Sequence, residues 1–267
     1  MASRIVLPLG ALLLALLLAA GGCAVRPEGE EKAGDGPENS AVEAASVTLT
    51  YYGQAAFLID AGPRILIDPY RPELGYGRID LPADLVTISH HHFDHDYAEA
   101  GRGARVLRGL SPDGEWQQVE EDTGFARIYS VGSYHDSSGG CQLGKNSIFV
   151  IEVAGLRLVH AGDLGHALGA EEIKRIGPVD LLFIPVGGYY TLPYEAILQV
   201  IADLKPAVAI PMHYRTRHYG DFNLGTLEDF LNQDLPYPAC KKGSRIQVSK
   251  KDLPPSTEIW AMEYELP

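Results

Sequence analysis

The sequence predicts an α/β protein built on two sheets with helices outside them. Three observations predict it. Short strands joined by tight turns open the folded body, strands alternating with helical segments close it, and several apolar strands run straight into histidine or aspartate. The densest of those strand ends is Ser89-His90-His91-His92-Phe93-Asp94-His95-Asp96, where four of the chain's nine histidines fall within six residues.

Residues 47–52 alternate and are rich in β-formers, so they are the first strand. Gly53-Gln54 turns the chain into a strand at 56–60, and Ala61-Gly62-Pro63 turns it again into 64–68, which Pro69 ends. A Pro- and Gly-rich stretch, 72–82, loops to the apolar run 85–88, a buried strand that feeds the histidine cluster. Residues 96–100 start a short helix that Gly101 and Gly103 stop. Strands are expected at 104–107 and 126–131, the latter closed by Tyr134-His135-Asp136. A hairpin at 147–153 and 156–160, turning on Ala154-Gly155, delivers Ala161-Gly162-Asp163. Helix 168–176 is stopped by Gly177-Pro178, and 181–186 is a buried strand. Helix 193–204 carries proline in its first turn, strand 207–211 delivers Met212-His213, and a short helix at 225–231 and a tail strand at 245–248 follow.

The ends and the composition bound the setting. Arg4, the apolar run 5–20 and Gly21-Gly22-Cys23 describe a secretory signal over 1–22 rather than a spanning helix, which needs about 20 apolar residues. Ala20-Gly21-Gly22-Cys23 resembles a bacterial lipobox. That resemblance implies cleavage before Cys23 and acylation of it, with palmitate among the chains, which places the protein on the extracytoplasmic side of the bacterial cell envelope. Residues 23–46 are rich in Glu, Gly, Pro and Ala without an aromatic residue and read as a flexible tether. The body is then 47–267, one domain. The chain's net charge is −13, and Arg4 is the only charged residue in 1–22, so the mature protein stands at −14. That excludes a nucleic-acid partner and electrostatic attachment to anionic lipid, and leaves the acyl chains to hold the membrane. Cys141 and Cys240 are expected to stay unpaired.

His90-x-His92-x-Asp94-His95 offers three imidazoles and a carboxylate, a donor set for zinc or a similar divalent ion. His135, Asp163 and His213 also follow apolar strands, so rigid elements bring seven candidate ligands to one sheet edge. Seven exceed the four of a structural zinc site and suffice for two ions with open positions, bridged by one carboxylate.

Taken in order, these residues resemble the metallo-β-lactamase superfamily. Within it the chain is most similar to the lactonase-like metal-dependent hydrolases related to L-ascorbate-6-phosphate lactonase, and more distantly to enzymes that cleave N-acyl-phosphatidylethanolamine. Carrying the likeness besides the ligands are Tyr52-Gly53-Gln54-Ala55-Ala56-Phe57, Ile67-Asp68-Pro69-Tyr70, His160-Ala161-Gly162-Asp163, Ile184-Pro185-Val186-Gly187-Gly188 and Ile210-Pro211-Met212-His213-Tyr214. The resemblance implies a four-layer αβ/βα sandwich. It implies a first metal on His90, His92 and His135, a second on Asp94, His95 and His213, and Asp163 bridging them. It further implies two zinc ions, with manganese as the other candidate, because His92 stands where redox-iron relatives place glutamate; Asp163, standing where some β-lactamases place cysteine, favours the hydrolase branch with oxygen bridging. The expected reaction is metal-dependent hydrolysis of an ester, lactone or phosphodiester in a small-molecule or lipid substrate, with Asp94 orienting the nucleophile or passing a proton. The alternatives are a phospholipase D-like phosphodiesterase acting on N-acyl-phosphatidylethanolamine-type lipids and a non-catalytic metal-binding envelope protein. Asp68 is expected to steady a ligand histidine, and His91 to point away from its neighbours. His160 and His166 flank Asp163, with His166 read as exposed. Tyr189, Tyr190, Arg215 and Arg217 are candidates for the substrate pocket, the arginines suiting a phosphate or carboxylate.

Overall fold

The computed structural model describes residues 45–218, 220 and 222–267. The signal segment 1–22, Cys23 and the tether up to residue 44 lie outside the described residues, and the expectations placed on them with it.

Two sheets carry the fold. The six-stranded one runs in the order Arg245–Ser249, Ser46–Tyr51, Phe57–Asp60, Arg64–Ile67, Leu85–Ile88 and Arg105–Arg108. The eight-stranded one runs Ala239–Lys242, Glu258–Met262, Val208–Met212, Leu181–Pro185, Leu156–His160, Lys145–Val153, Ala126–Tyr134 and Glu120–Asp122. Alternation decides which side each residue buries. Phe57, Ile59, Ile65 and Ile67 share one cluster with Phe149, Leu158 and Phe183 of the other sheet, while Leu58, Leu66, Val86 and Ile88 belong to a second. That is the two-residue period of strands buried on both faces. Phe57 joins the sheets, with its ring 4.4 Å from that of Tyr51 and 4.4 Å from that of Phe183. Removing a side chain so placed costs about 3–5 kcal/mol.

The outer layers differ. In helix Tyr194–Leu204 the buried residues Ile197, Val200, Ile201 and Leu204 recur at helical spacing and join the core shared by both sheets. Pro193 precedes its first turn, and left-handed Lys205 closes it by donating from its backbone to Ile201. Helix Ala170–Ile176 buries Ile176 and is steadied by Glu172, which accepts from the Gly169 amide at 2.6 Å. Outside the six-stranded sheet the cover is Tyr70, Leu74, Tyr76, Ile79 and Ala100, drawn from loops and the 3₁₀ turns Pro72–Leu74 and Ala98–Ala100. The segment expected to start a helix at 96–100 is therefore a single turn. Gly101 follows too soon for an α-helix to repay its nucleation.

Direction matters most for function. Leu156–His160, Leu181–Pro185 and Val208–Met212 pair in parallel, so their C-terminal ends share one edge. Two antiparallel steps through Lys145–Val153 return Ala126–Tyr134 to the same direction. In the other sheet Leu85–Ile88 runs parallel to Arg64–Ile67. Strand ends from both sheets thus supply the candidate site.

Candidate metal centre

All seven candidate ligands come together. His90, His95, His135, Asp163 and His213 are buried, as is Asp94, and His92 is half-buried. They form two sets, His90–His92–His135–Asp163 and Asp94–His95–Asp163–His213, and within each set the ligand atoms lie within 4.8 Å of one another. Asp163 belongs to both. Its Oδ2 is 3.0 Å from His135 Nε2, 3.1 Å from His213 Nε2 and 3.6 Å from His90 Nε2, and its Oδ1 is 3.2 Å from His95 Nε2. His90 Nε2 and His92 Nδ1 are 3.1 Å apart. Asp94 Oδ2 is 3.5 Å from His95 Nε2 and 3.6 Å from His213 Nε2.

Neighbouring side chains set these positions. Asp68 accepts from the Ser89 backbone amide at 2.8 Å and from its hydroxyl, and its Oδ2 is 3.0 Å from His95 Nδ1. The hydroxyl of Ser89 in turn lies 2.9 Å from His90 Nδ1. Asp68 therefore steadies a ligand histidine as expected, and His90 as well through Ser89. Gln54 does the same on the other side. Its amide donates to Asp94 Oδ2 at 2.8 Å, while its backbone carbonyl accepts from His213 N at 2.7 Å and from the Tyr51 hydroxyl at 2.9 Å. Asn146 accepts from Asp163 N at 3.1 Å and donates to the Ala161 carbonyl and the Ser133 hydroxyl.

The backbone is strained where these groups meet. Gln54, Asp68 and His213 all hold φ between 40° and 53°, a conformation that costs about 1–3 kcal/mol per non-glycine residue. Gly162, at φ 55°, has no room for a side chain, since a Cβ there would sit 2.4 Å from Asn146 Oδ1. The turn that presents Asp163 needs glycine.

Charge divides the site in two. Burial holds His90 and His92 below the usual histidine range, reinforced by His95 at His90 and by His135 at His92. Neutral imidazoles of this kind are ready metal donors. Burial opposes a charge on His95 and His213 as well, but Asp163 outweighs it at both, joined by Asp94, so both are raised and His213 reaches about 9. Asp94 and Asp163 are pushed low despite burial, Asp94 chiefly by His95 and Asp163 chiefly by His213.

The donor set fits divalent ions. Among the described residues, His95 Nε2 and Asp163 Oδ1 are buried without a hydrogen bond of sound geometry. Buried polar atoms are seldom left so, and nitrogen and carboxylate atoms converging in this way suit zinc or manganese.

Other expectations fare unevenly. His91 is exposed and meets the Ser111 carbonyl at 2.8 Å, away from the cluster. His160 is buried beneath the site against the Ala55 carbonyl, and His166 accepts from the Tyr134 amide. Tyr190 lines the cavity over the centre, but Arg215 and Arg217 line a separate cavity, and Tyr189 points to solvent, 71% exposed. Arg215 is drawn off because its Nε donates to the Leu224 carbonyl. Phe93, Leu143 and Phe222, which the sequence does not single out, line the cavity instead. Cys141 and Cys240 are both free.

The known relatives of the chain agree with this architecture. The model of the β-lactamase superfamily domain matches residues 48–213, which span every ligand strand. The chain belongs to the metallo-β-lactamase superfamily. It is similar to a metal-dependent hydrolase of Thermococcus onnurineus, 32% identical over 64% of this chain and 85% of that one. A metal-dependent hydrolase of Carboxydothermus hydrogenoformans is 29% identical, over 68% of this chain and 90% of that one. Among solved structures, a Thermotoga maritima protein assigned as a zinc-dependent hydrolase of the metallo-β-lactamase superfamily superposes with a TM-score of 0.65. It is 30% identical, with 82% of this chain and 100% of that one covered. These relatives place the chain among the metal-dependent hydrolases of the metallo-β-lactamase superfamily.

Proposed function

We propose that the chain is a two-metal hydrolase that works at the membrane surface and opens an ester, lactone or phosphodiester bond. The observation that carries this is the pair of ligand sets sharing Asp163. His90, His92 and His135 would hold one ion, Asp94, His95 and His213 the other, and Asp163 would touch both, with zinc the leading choice and manganese the second. When bound, such a pair supplies Lewis acidity and acidifies water from a bulk pKa of ~15.7 towards neutrality. The rest falls to the chain's own side chains. Asp94 lines the cavity, and its low proton affinity keeps it a carboxylate at neutral pH. It orients the attacking water, accepts the proton that the water gives up as it adds, and hands that proton to the leaving group. Gln54 fixes the carboxylate's angle through Oδ2.

Adding zinc or manganese to stripped protein should restore hydrolysis of a 4-nitrophenyl ester, a lactone or bis(4-nitrophenyl) phosphate. If none of the three is turned over in a metal-dependent way, the reading fails. Gln54→Ala should lower kcat by about 10–100-fold, the usual cost of losing a group that orients a ligand. If kcat is unchanged, Gln54 does not position Asp94. The membrane setting rests on Ala20-Gly21-Gly22-Cys23. Cys23→Ser should abolish incorporation of labelled palmitate in the bacterial host and release the protein from membranes; label retained in the variant contradicts the anchor.

A further inference from the structure

We propose that this centre acts on an ester or lactone carrying a hydrocarbon group, in preference to one that carries a phosphate group beside the reacting bond. This rests on the hydrolase reading and narrows it. The cavity over the centre has a volume of about 290 Å³, and the walls above the histidines and aspartates are Phe93, Leu143, Tyr190 and Phe222. Phe93 and Phe222 are each 41% exposed, and their rings stand 6.3 Å apart at the mouth. Apolar surface left open beside reactive groups is surface that a hydrocarbon can cover, and aromatic rings offer the most of it.

The second observation is what the walls lack. Among the described residues lining this cavity none is lysine or arginine. The nearby cations are engaged elsewhere. Arg71 pairs with Asp96 at 3.2 Å, Arg215 donates to the Leu224 carbonyl at 3.0 Å, and Arg217 lies with Arg215 along a different cavity. Sites that hold a phosphate group away from the reacting bond place such cations on it, often in two-pronged contact. An ester or lactone needs none. The cavity opens to solvent at this mouth, so a small ring can sit against the centre while a chain runs out along the two rings.

The test uses metal-loaded protein and a series of γ-lactones with alkyl chains of increasing length, beside a lactone bearing phosphate in place of the chain. kcat/KM should rise about two- to fourfold per added methylene until the cavity is filled, and the phosphate-bearing lactone should be poorer than the alkyl lactones. Leu143→Ser combined with Phe222→Ser should flatten that rise with metal content unchanged. A series without chain-length dependence, a rise that the double variant leaves intact, or faster turnover of the phosphate-bearing lactone overturns the proposal while leaving the hydrolase reading standing. Absence of metal-dependent turnover on every lactone, ester and phosphodiester overturns both.

Discussion

Asp163→Ala should lower kcat/KM for ester or lactone hydrolysis by at least ~10³-fold and reduce the bound metal below two ions per chain. The expectation follows from position. Asp163 is the acid common to both ligand sets, with carboxylate oxygens within 3.6 Å of His90, His95, His135 and His213. Removing one preorganised polar group from a reaction centre typically costs about 10²–10³-fold, and Asp163 serves two halves of the centre rather than one. Asp163→Asn sharpens the test because it keeps the shape and removes only the charge that two cations would share. Steady-state kinetics and metal analysis on the folded variants check both parts. Near-wild-type activity, or two ions still bound by the alanine variant, would show that Asp163 does not join the two sets.

Stripping the metal should destabilise the folded protein strongly. Most of the candidate ligands are buried, and among the described residues His95 Nε2 and Asp163 Oδ1 have no hydrogen bond of sound geometry. An ion present at ~1,000 times its dissociation constant contributes about 4 kcal/mol per site. For a body of this size each kcal/mol moves Tm by about 2–4 °C, so chelation should lower it by roughly 8–16 °C for each ion lost. The stripped protein should also be pH-sensitive in a definite direction. His213, raised to about 9 by Asp163 against the cost of burial, binds its proton more tightly folded than unfolded, where histidine titrates near ~6.5. Its contribution is complete below that value and is lost as pH rises through about 9. Calorimetry of stripped and loaded protein across pH checks both points, and a Tm indifferent to chelator would contradict them.

The sequence shows the strands well because their runs are rich in apolar and β-branched residues, and turn residues bound most of them. Residues 85–88, 156–160 and 181–186 were legible for that reason, and candidate ligands follow the first two within three residues. The strand Glu120–Asp122 was not, because three acids in a row carry no apolar period; arginines hold it at the sheet edge, Arg105 on Glu121 and Arg127 on Glu120. Glu258–Met262 was missed because a short apolar run near the C-terminus looks the same with or without parallel neighbours to pair with. At the site, the ligands were legible from residue type and spacing. Gln54 was visible only as part of a turn, since an amide that orients a carboxylate forty positions away leaves no local pattern. Phe93 was hidden between two ligands, and Phe222 lies in a loop with no periodicity. The arginines misled for a similar reason: their chemistry suits an anion, but a backbone carbonyl of a neighbouring loop takes Arg215 elsewhere.

The central claim is that two ions, held through a shared Asp163, make one hydrolytic centre. Titrating stripped protein with zinc while following lactone hydrolysis tests it most directly. Activity should climb until two ions are bound per chain and then level off. A plateau at one ion, or full loading without hydrolysis, would contradict the account.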